Sequence, residues 1–283
     1  MSARAASPGQ GDFRRRATDA GLSVWFVLAI LFLFAPIAVS ILYSFNLGVV
    51  GKQTSHFTGW TLEWYPAAWN DLALRRSVQT SLYVAFWAAL IALAMGASLG
   101  YALVRHPSPR VRRWLSGLTY ILLIVPEVVI GVSLLLFYAV TGVPLGAATL
   151  IAGITPAAIA VTALIVRARA LTLDPRLEEA AADLGSTRLK TLWFIVLPQL
   201  LPAILAGGLM SYAFCFDNLV VAAFLTTPAV NTLPVYLYGS LQYGPAPSVY
   251  AAATVVFLFT VTLLGLAALC FRLSRKPGRT GAS

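Results

Sequence analysis

Five stretches of this chain contain no Asp, Glu, Lys or Arg: residues 20–51, 77–104, 128–166, 191–216 and 218–271. In hydrocarbon every backbone amide and carbonyl must be paired within its own segment, so uncharged apolar runs of about 20 residues or more point to spanning helices. The run 128–166 is too long for one crossing and is broken by Thr141-Gly-Val-Pro144, so it joins parts of two spans. The run 218–271 likewise holds the end of one span, a polar Pro/Gly-rich loop and a complete last span. This segmentation predicts an all-α, polytopic membrane protein with six transmembrane helices, at about 22–45, 77–104, 115–139, 148–168, 199–225 and 249–271. Only 11% of the residues are charged, against about a quarter in soluble domains, and the mean hydropathy is +0.81.

The net charge of +10 would suit a nucleic-acid binder, but its placement argues otherwise. With both termini inside, every basic residue except Lys52, Arg75 and Arg76 falls on the cytoplasmic side. That is the positive-inside asymmetry, and it sets the expected orientation. Residues 1–18 and 274–283 are expected to be cytoplasmic tails, and 19–273 a single membrane domain. Arg14-Arg15-Arg16 stands before an apolar run of about 24 residues with no A-x-A site, which predicts a retained first span rather than a cleaved signal. The basic turn Arg105-His-Pro-Ser-Pro-Arg-Val-Arg-Arg113 is expected to anchor topology and contact anionic lipid head groups. Trp60, Trp64, Tyr65 and Trp69, in the largest outer loop, suit an interfacial aromatic belt.

Several chemistries find no residues to carry them. His56 and His106 fall in loops on opposite sides, so no metal cluster can be built, and no cofactor is expected. Cys215 and Cys270 sit toward opposite membrane faces, roughly 20–25 Å apart in depth, beyond disulfide reach. Gly48-Val-Val-Gly-Lys52-Gln53-Thr54 has the wrong spacing for a phosphate-binding loop. Without a nucleophile–base or metal constellation, the chain is not expected to be an enzyme. Gly96-x-x-x-Gly100 and other small-residue stripes predict close helix packing.

The most specific pattern lies between the fourth and fifth spans, in a loop over 169–198. Asp174-Pro175 is suited to open a helix, Arg176 to Leu184, that Gly185 would stop in a left-handed conformation. Ser186 is suited to cap the next helix, Thr187 to Val196, which meets Leu197-Pro198 and enters the fifth span. Ala180, Ala181 and Ala182 would give a nearly bare surface flanked by Glu178, Glu179 and Asp183. Periodicity alone fits an ordinary amphipathic loop equally well, since Ala and Glu are good helix formers.

The order Glu179-Ala180-Ala181, three residues, Gly185, nine residues, Ile195-x-Leu197-Pro198 resembles the coupling loop of bacterial ABC-importer permeases. Pro126-Glu127-Val-Val-Ile-Gly131-Val-Ser133, Cys215-Phe216-Asp217-Asn218-Leu219-Val220-Val221 and Thr232-Leu-Pro234 resemble the second permease of spermidine/putrescine-type importers. The resemblance implies a type I permease fold and passage of a small solute, a polyamine first. Thiamine, ferric ion and phosphonate permeases share the loop, so they stay open as alternatives. It also implies the partners: two ABC ATPase subunits, a second related permease and an extracytoplasmic solute-binding protein. Glu178, Glu179, Ala180, Ala181, Asp183, Leu184, Gly185, Ile195, Leu197 and Pro198 would then meet the ATPase. A self-contained transporter driven by an ion gradient is the competing class, and it has no need of such a loop.

Glu127 and Asp217 are the only charged residues well within the predicted spans. Such residues usually face a bundle interior or an aqueous path. With Tyr212, Phe216 and Asn218 they would make a cation-attracting path, or they would only stabilise packing. The related subgroup usually reads Asp-Asp where this chain has Asp217-Asn218, so one carboxylate is missing.

Overall fold

The computed structural model describes residues 8–49, 53–54, 56–242 and 246–274, with side chains over 21–258 of these and at 261–262. In chain order the helices are α1 (Pro8–Tyr43), α2 (Trp64–Asn70), α3 (Leu72–Arg105), α4 (Pro109–Ile124), α5 (Glu127–Thr141) and α6 (Ala147–Ala170). They continue as α7 (Arg176–Asp183), α8 (Arg188–Thr191), α9 (Leu197–Phe216), α10 (Val220–Leu225), α11 (Leu233–Gln242) and α12 (Pro247–Ser274). A single antiparallel bridge, Asn46 with Trp60, is the extended pairing among the described residues.

Among the described residues four stretches are long and apolar enough to cross a membrane: Gly21–Tyr43, Leu72–Arg105, Ala147–Ala170 and Arg188–Phe216. The expected third span, 115–139, is not one straight helix. It is α4 and α5, bent by 93° at Val125-Pro126. Pro126 has no amide proton to give and holds the preceding residue out of the helical region, and Val125 is accordingly extended, at ψ 126°. The expected fifth span, 199–225, is also broken: α9 stops at Phe216 and α10 begins at Val220. The last helix, α12, has 28 residues, enough for about 42 Å of rise. The Lys52 position and the Cys270 side chain lie outside the described residues.

The chain forms two compact units, Leu72–Gly239 and Met1–Asp71 with Ser240–Ser283. In the second of these, α1 begins at Pro8, inside the segment expected as a tail. The loop after it is organised around Asn46, which is fully buried. Its side chain donates to Gln53 Oε1 (2.9 Å) and accepts from the Thr58 amide (2.7 Å), while its carbonyl accepts from the Trp64 indole (2.8 Å). Trp60 and Trp69 are exposed, as an interfacial belt requires. Trp64 and Tyr65 instead hold the loop together, Tyr65 through a 2.9 Å hydroxyl contact with Ser44.

In the Leu72–Gly239 unit, α3, α6 and α9 share a seam of small residues. A Cβ on Gly96 would lie 2.6 Å from Thr162 Cβ, and one on Gly100 would lie 2.6 Å from the Ala163 carbonyl oxygen. Backbones this close leave no room for a methyl group, which is the packing that Gly96-x-x-x-Gly100 predicts. Two hydroxyls are buried in the seam, Thr162 and Ser211, with their oxygens 2.7 Å apart. Ser211 donates to the Ala158 carbonyl at 2.9 Å, and Thr162 has the Gly207 carbonyl within reach at 3.3 Å. Around the seam pack Val84, Ala88, Ile154, Val221 and Leu225 toward one end, and Val166, Val196, Leu200 and Ile204 toward the other.

Candidate functional site

The loop joining α6 to α9 is built as the sequence suggests, with two differences. Asp174 Oδ1 accepts the Arg176 amide at 3.0 Å and starts α7. The helix ends in a complete Schellman turn. Gly185, at φ +80°, donates its amide to the Ala182 carbonyl, and the Ser186 amide reaches back to Ala181, each at 2.9 Å. The next helix is capped by Thr187, not Ser186, with the Thr187 hydroxyl accepting from the Lys190 amide at 3.4 Å. Between α8 and α9, Leu192–Val196 form a π-helical turn. Proline at 198 lacks a donor, and a wider turn accommodates its ring. Gln199 Nε2 donates to the Ile195 carbonyl at 2.8 Å.

The second difference concerns which face of α7 is free. Ala181 is buried, so the bare surface expected over Ala180–Ala182 is narrower than three alanines. Glu178 also turns inward. Its Oε1 accepts from Arg105 Nε at 2.8 Å and its Oε2 from the Tyr101 hydroxyl at 3.0 Å. Arg105 Nη2 donates as well to the Leu173 carbonyl at 2.9 Å. Arg105 is therefore tied into this loop rather than free for lipid, as the basic turn suggested. Glu179, Ala180, Ala182 and Asp183 stay exposed, and Leu184 is 88% exposed. Of the predicted closing residues, Ile195 and Leu197 are half-buried and Pro198 is exposed.

The second predicted group gathers where helices break. Glu127 lies in the first turn of α5, directly after the bend. Asp217 is the C-cap of α9 rather than an interior residue, and it is exposed. Between them lies Asn218, 6% exposed, whose Nδ2 donates to Glu127 Oε2 at 3.2 Å and whose Oδ1 accepts the Val221 amide at 3.1 Å. One side chain thus caps α10 and pins it to α5. There Gly131 faces Phe224, and a Cβ on this glycine would lie only 2.6 Å from the ring. Tyr212 and Phe216 stack along α9 with ring centroids 6.4 Å apart. Among the described residues the Asp217 carboxylate has no hydrogen bond or ion pair, and no group of three or more His, Cys, Asp or Glu could hold a metal.

The sequence profile of the family described as "Binding-protein-dependent transport system inner membrane component" matches residues 92–275, which include the α6–α9 loop and both helix breaks. The chain belongs to this family. Among curated relatives of this inner membrane component is the putrescine transport system permease protein PotI of Escherichia coli (strain K12), 32% identical over 248 residues. That match covers 86% of this chain and 87% of the relative. The spermidine/putrescine transport system permease protein PotC of the same strain is 31% identical over 250 residues, 88% of this chain and 93% of the relative. Among solved structures, a bacterial ABC transporter involved in the import of the acidic polysaccharide alginate matches with a TM-score of 0.69 at 17% identity. It covers 94% of this chain and 99% of that one. The MetNI methionine ABC transporter, in an inward-facing conformation, matches at TM-score 0.60 and 20% identity, over 71% and 94% of the two chains. At these identities the structures speak for the fold: this multi-pass inner membrane component has the ABC-importer permease fold.

Arg105, Tyr101 and the Leu173 carbonyl were not foreseen. A signal was present, because Tyr101 and Arg105 are four residues apart on one face of α3.

Proposed function

We propose that this permease carries a polyamine, putrescine or spermidine, inward across the bacterial inner membrane, powered by ATP hydrolysis in separate subunits. The loop 169–198 is the docking element for an ABC ATPase. The observation that carries this is the exposed end of α7: Glu179, Ala180, Ala182, Asp183 and Leu184, presented by a glycine-closed turn. An 88% exposed leucine beside two carboxylates suits a partner with an apolar pocket rimmed by basic groups. The distribution of basic residues supports a cytoplasmic loop and cytoplasmic termini. The working assembly is two ATPase subunits, this permease with a related second one, and an extracytoplasmic binding protein that delivers the solute. No bond is made or broken by this chain.

The names of the PotI and PotC relatives support the polyamine assignment. So does the polar group at the helix breaks, where Asp217, with an unengaged carboxylate, directly follows Phe216, whose ring stacks on Tyr212. Two unit charges 4 Å apart attract by about 4 kcal/mol at an effective dielectric of about 20, against about 1 kcal/mol in bulk water. Asp217→Asn keeps the shape and removes the charge. In membrane vesicles holding the full transporter, uptake of labelled putrescine and spermidine should fall sharply while the ATPase stays bound. Unchanged uptake of both polyamines would leave Asp217 a helix cap and remove the cationic-solute assignment.

A further inference from the structure

The two adjacent acids of α7 are turned in opposite directions, and only one of them is available to a partner. Glu179 is exposed, whereas both carboxylate oxygens of Glu178 are engaged by α3, at 2.8 Å by Arg105 and 3.0 Å by Tyr101. These side chains are 20% and 27% exposed for Arg105 and Glu178 respectively, so the pair is screened less than a surface ion pair. Arg105 also holds the Leu173 carbonyl, one residue before the Asp174 that starts α7. The guanidinium therefore fixes the helix at its entry and on its inner face together. The covalent connections of the loop run into α6 at Ala170 and, through the π-turn, into α9.

We propose that Arg105, Tyr101 and Glu178 form a yoke that makes α7 and α3 move as one body, so that displacement of the docked loop is delivered to the membrane through α3. They are positioning residues. None of them needs to touch ATP, the ATPase or the solute. The geometry favours α3 as the driven element because it is packed against α6 at Gly96 and Gly100, where an added Cβ would lie 2.6 Å from its neighbour. A rigid element gripped at its end and packed without slack along its length transmits a displacement rather than absorbing it. This inference rests on the docking reading above, but it makes a separate claim: without the yoke the ATPase still docks, and the loop moves while α3 does not.

The test uses the complete transporter in proteoliposomes, with labelled putrescine as the probe. It compares Glu178→Gln, Arg105→Gln, the milder Tyr101→Phe and the exchanged pair Arg105→Glu with Glu178→Arg. Two quantities are read: ATPase subunit retained on the purified permease, and putrescine taken up per ATP hydrolysed. The single charge-removing variants should retain the ATPase and lose about tenfold in uptake per ATP, the effect expected for one part-buried charge-assisted contact. Tyr101→Phe should show a smaller loss in the same direction, and the exchanged pair should recover most of the ratio. An unchanged ratio in both single charge-removing variants overturns the yoke. So does loss of bound ATPase in Glu178→Gln that the exchanged pair does not restore, since Glu178 would then face the partner. A wild-type permease that retains no ATPase overturns the docking reading, and the yoke with it.

Discussion

Gly100→Ala should destabilise the protein, although alanine is the better helix former. Replacing a mid-helix glycine by alanine gains about 1 kcal/mol from backbone entropy alone. At Gly100 the new methyl carbon would lie 2.6 Å from the Ala163 carbonyl oxygen, 2.8 Å from Val166 Cβ and 3.1 Å from the Arg167 amide nitrogen. Two of those three atoms are backbone, so no side-chain rotation relieves the clash, and α3 must separate from α6. Overpacking of this kind costs about 1–3 kcal/mol, and the rigid neighbours place it at the upper end, for a net loss of about 2 kcal/mol. Gly117 in α4 is the internal control, because its Cβ would meet nothing within 4 Å. The assay is the midpoint of thermal unfolding in detergent, followed by loss of the monodisperse species. For a protein of this size about 2–4 °C corresponds to each kcal/mol, so Gly100→Ala should lower the midpoint by about 4–8 °C while Gly117→Ala holds or raises it. Equal shifts in the two variants would refute the close-packed seam.

The hydroxyl pair in that seam gives a second test: Ser211→Ala removes the 2.7 Å contact to the buried Thr162 hydroxyl, leaves that hydroxyl only the longer 3.3 Å contact to the Gly207 carbonyl, and should cost about 0.5–1.5 kcal/mol. The double variant with Thr162→Ala should cost less than the sum of the two single changes, read by the same thermal midpoint. Gly185→Val places a β-branched residue at φ +80°, should strain the turn by about 1–2 kcal/mol, and should lower ATPase retention without removing the permease from the membrane. Glu179→Lys reverses an exposed charge and should abolish uptake and weaken ATPase binding; normal values for both would mean that this loop does not dock the ATPase. Uptake should persist when ion gradients are collapsed at constant ATP, whereas uptake by this chain alone on a proton or sodium gradient would move it to the secondary transporters.

The α6–α9 loop was legible because its signals are local. An Asp-Pro start, a glycine stop and a proline entry each act within four or five residues. The small-residue seam was legible for a similar reason, since Gly96-x-x-x-Gly100 places both glycines on one helix face. Which of two adjacent acids would face inward was not legible, because it is decided by Arg105, 73 residues away from Glu178. The helix breaks were hidden for a different reason. Apolar length suggests continuity, and apolar residues flank Pro126-Glu127 on both sides although the chain bends there by 93°. At 217–219 the break has no proline. It depends on Asn218 finding both the Val221 amide and the Glu127 carboxylate, and Glu127 is 91 residues away.

A π-turn is one residue inserted into an α-helix, and each residue of a helix advances about 100° around its axis. The extra residue at Leu192–Val196 therefore sets the angular phase between α9 and everything that precedes it in the loop. Deleting a single residue there would leave α3, α6 and α9 their lengths and compositions while rotating α8 and the turn at Gly185 by more than a quarter of a revolution. The direction in which Leu184 and Glu179 point is thus encoded by a residue count. Length changes between Thr191 and Pro198 should be far less tolerated than most substitutions within the same interval.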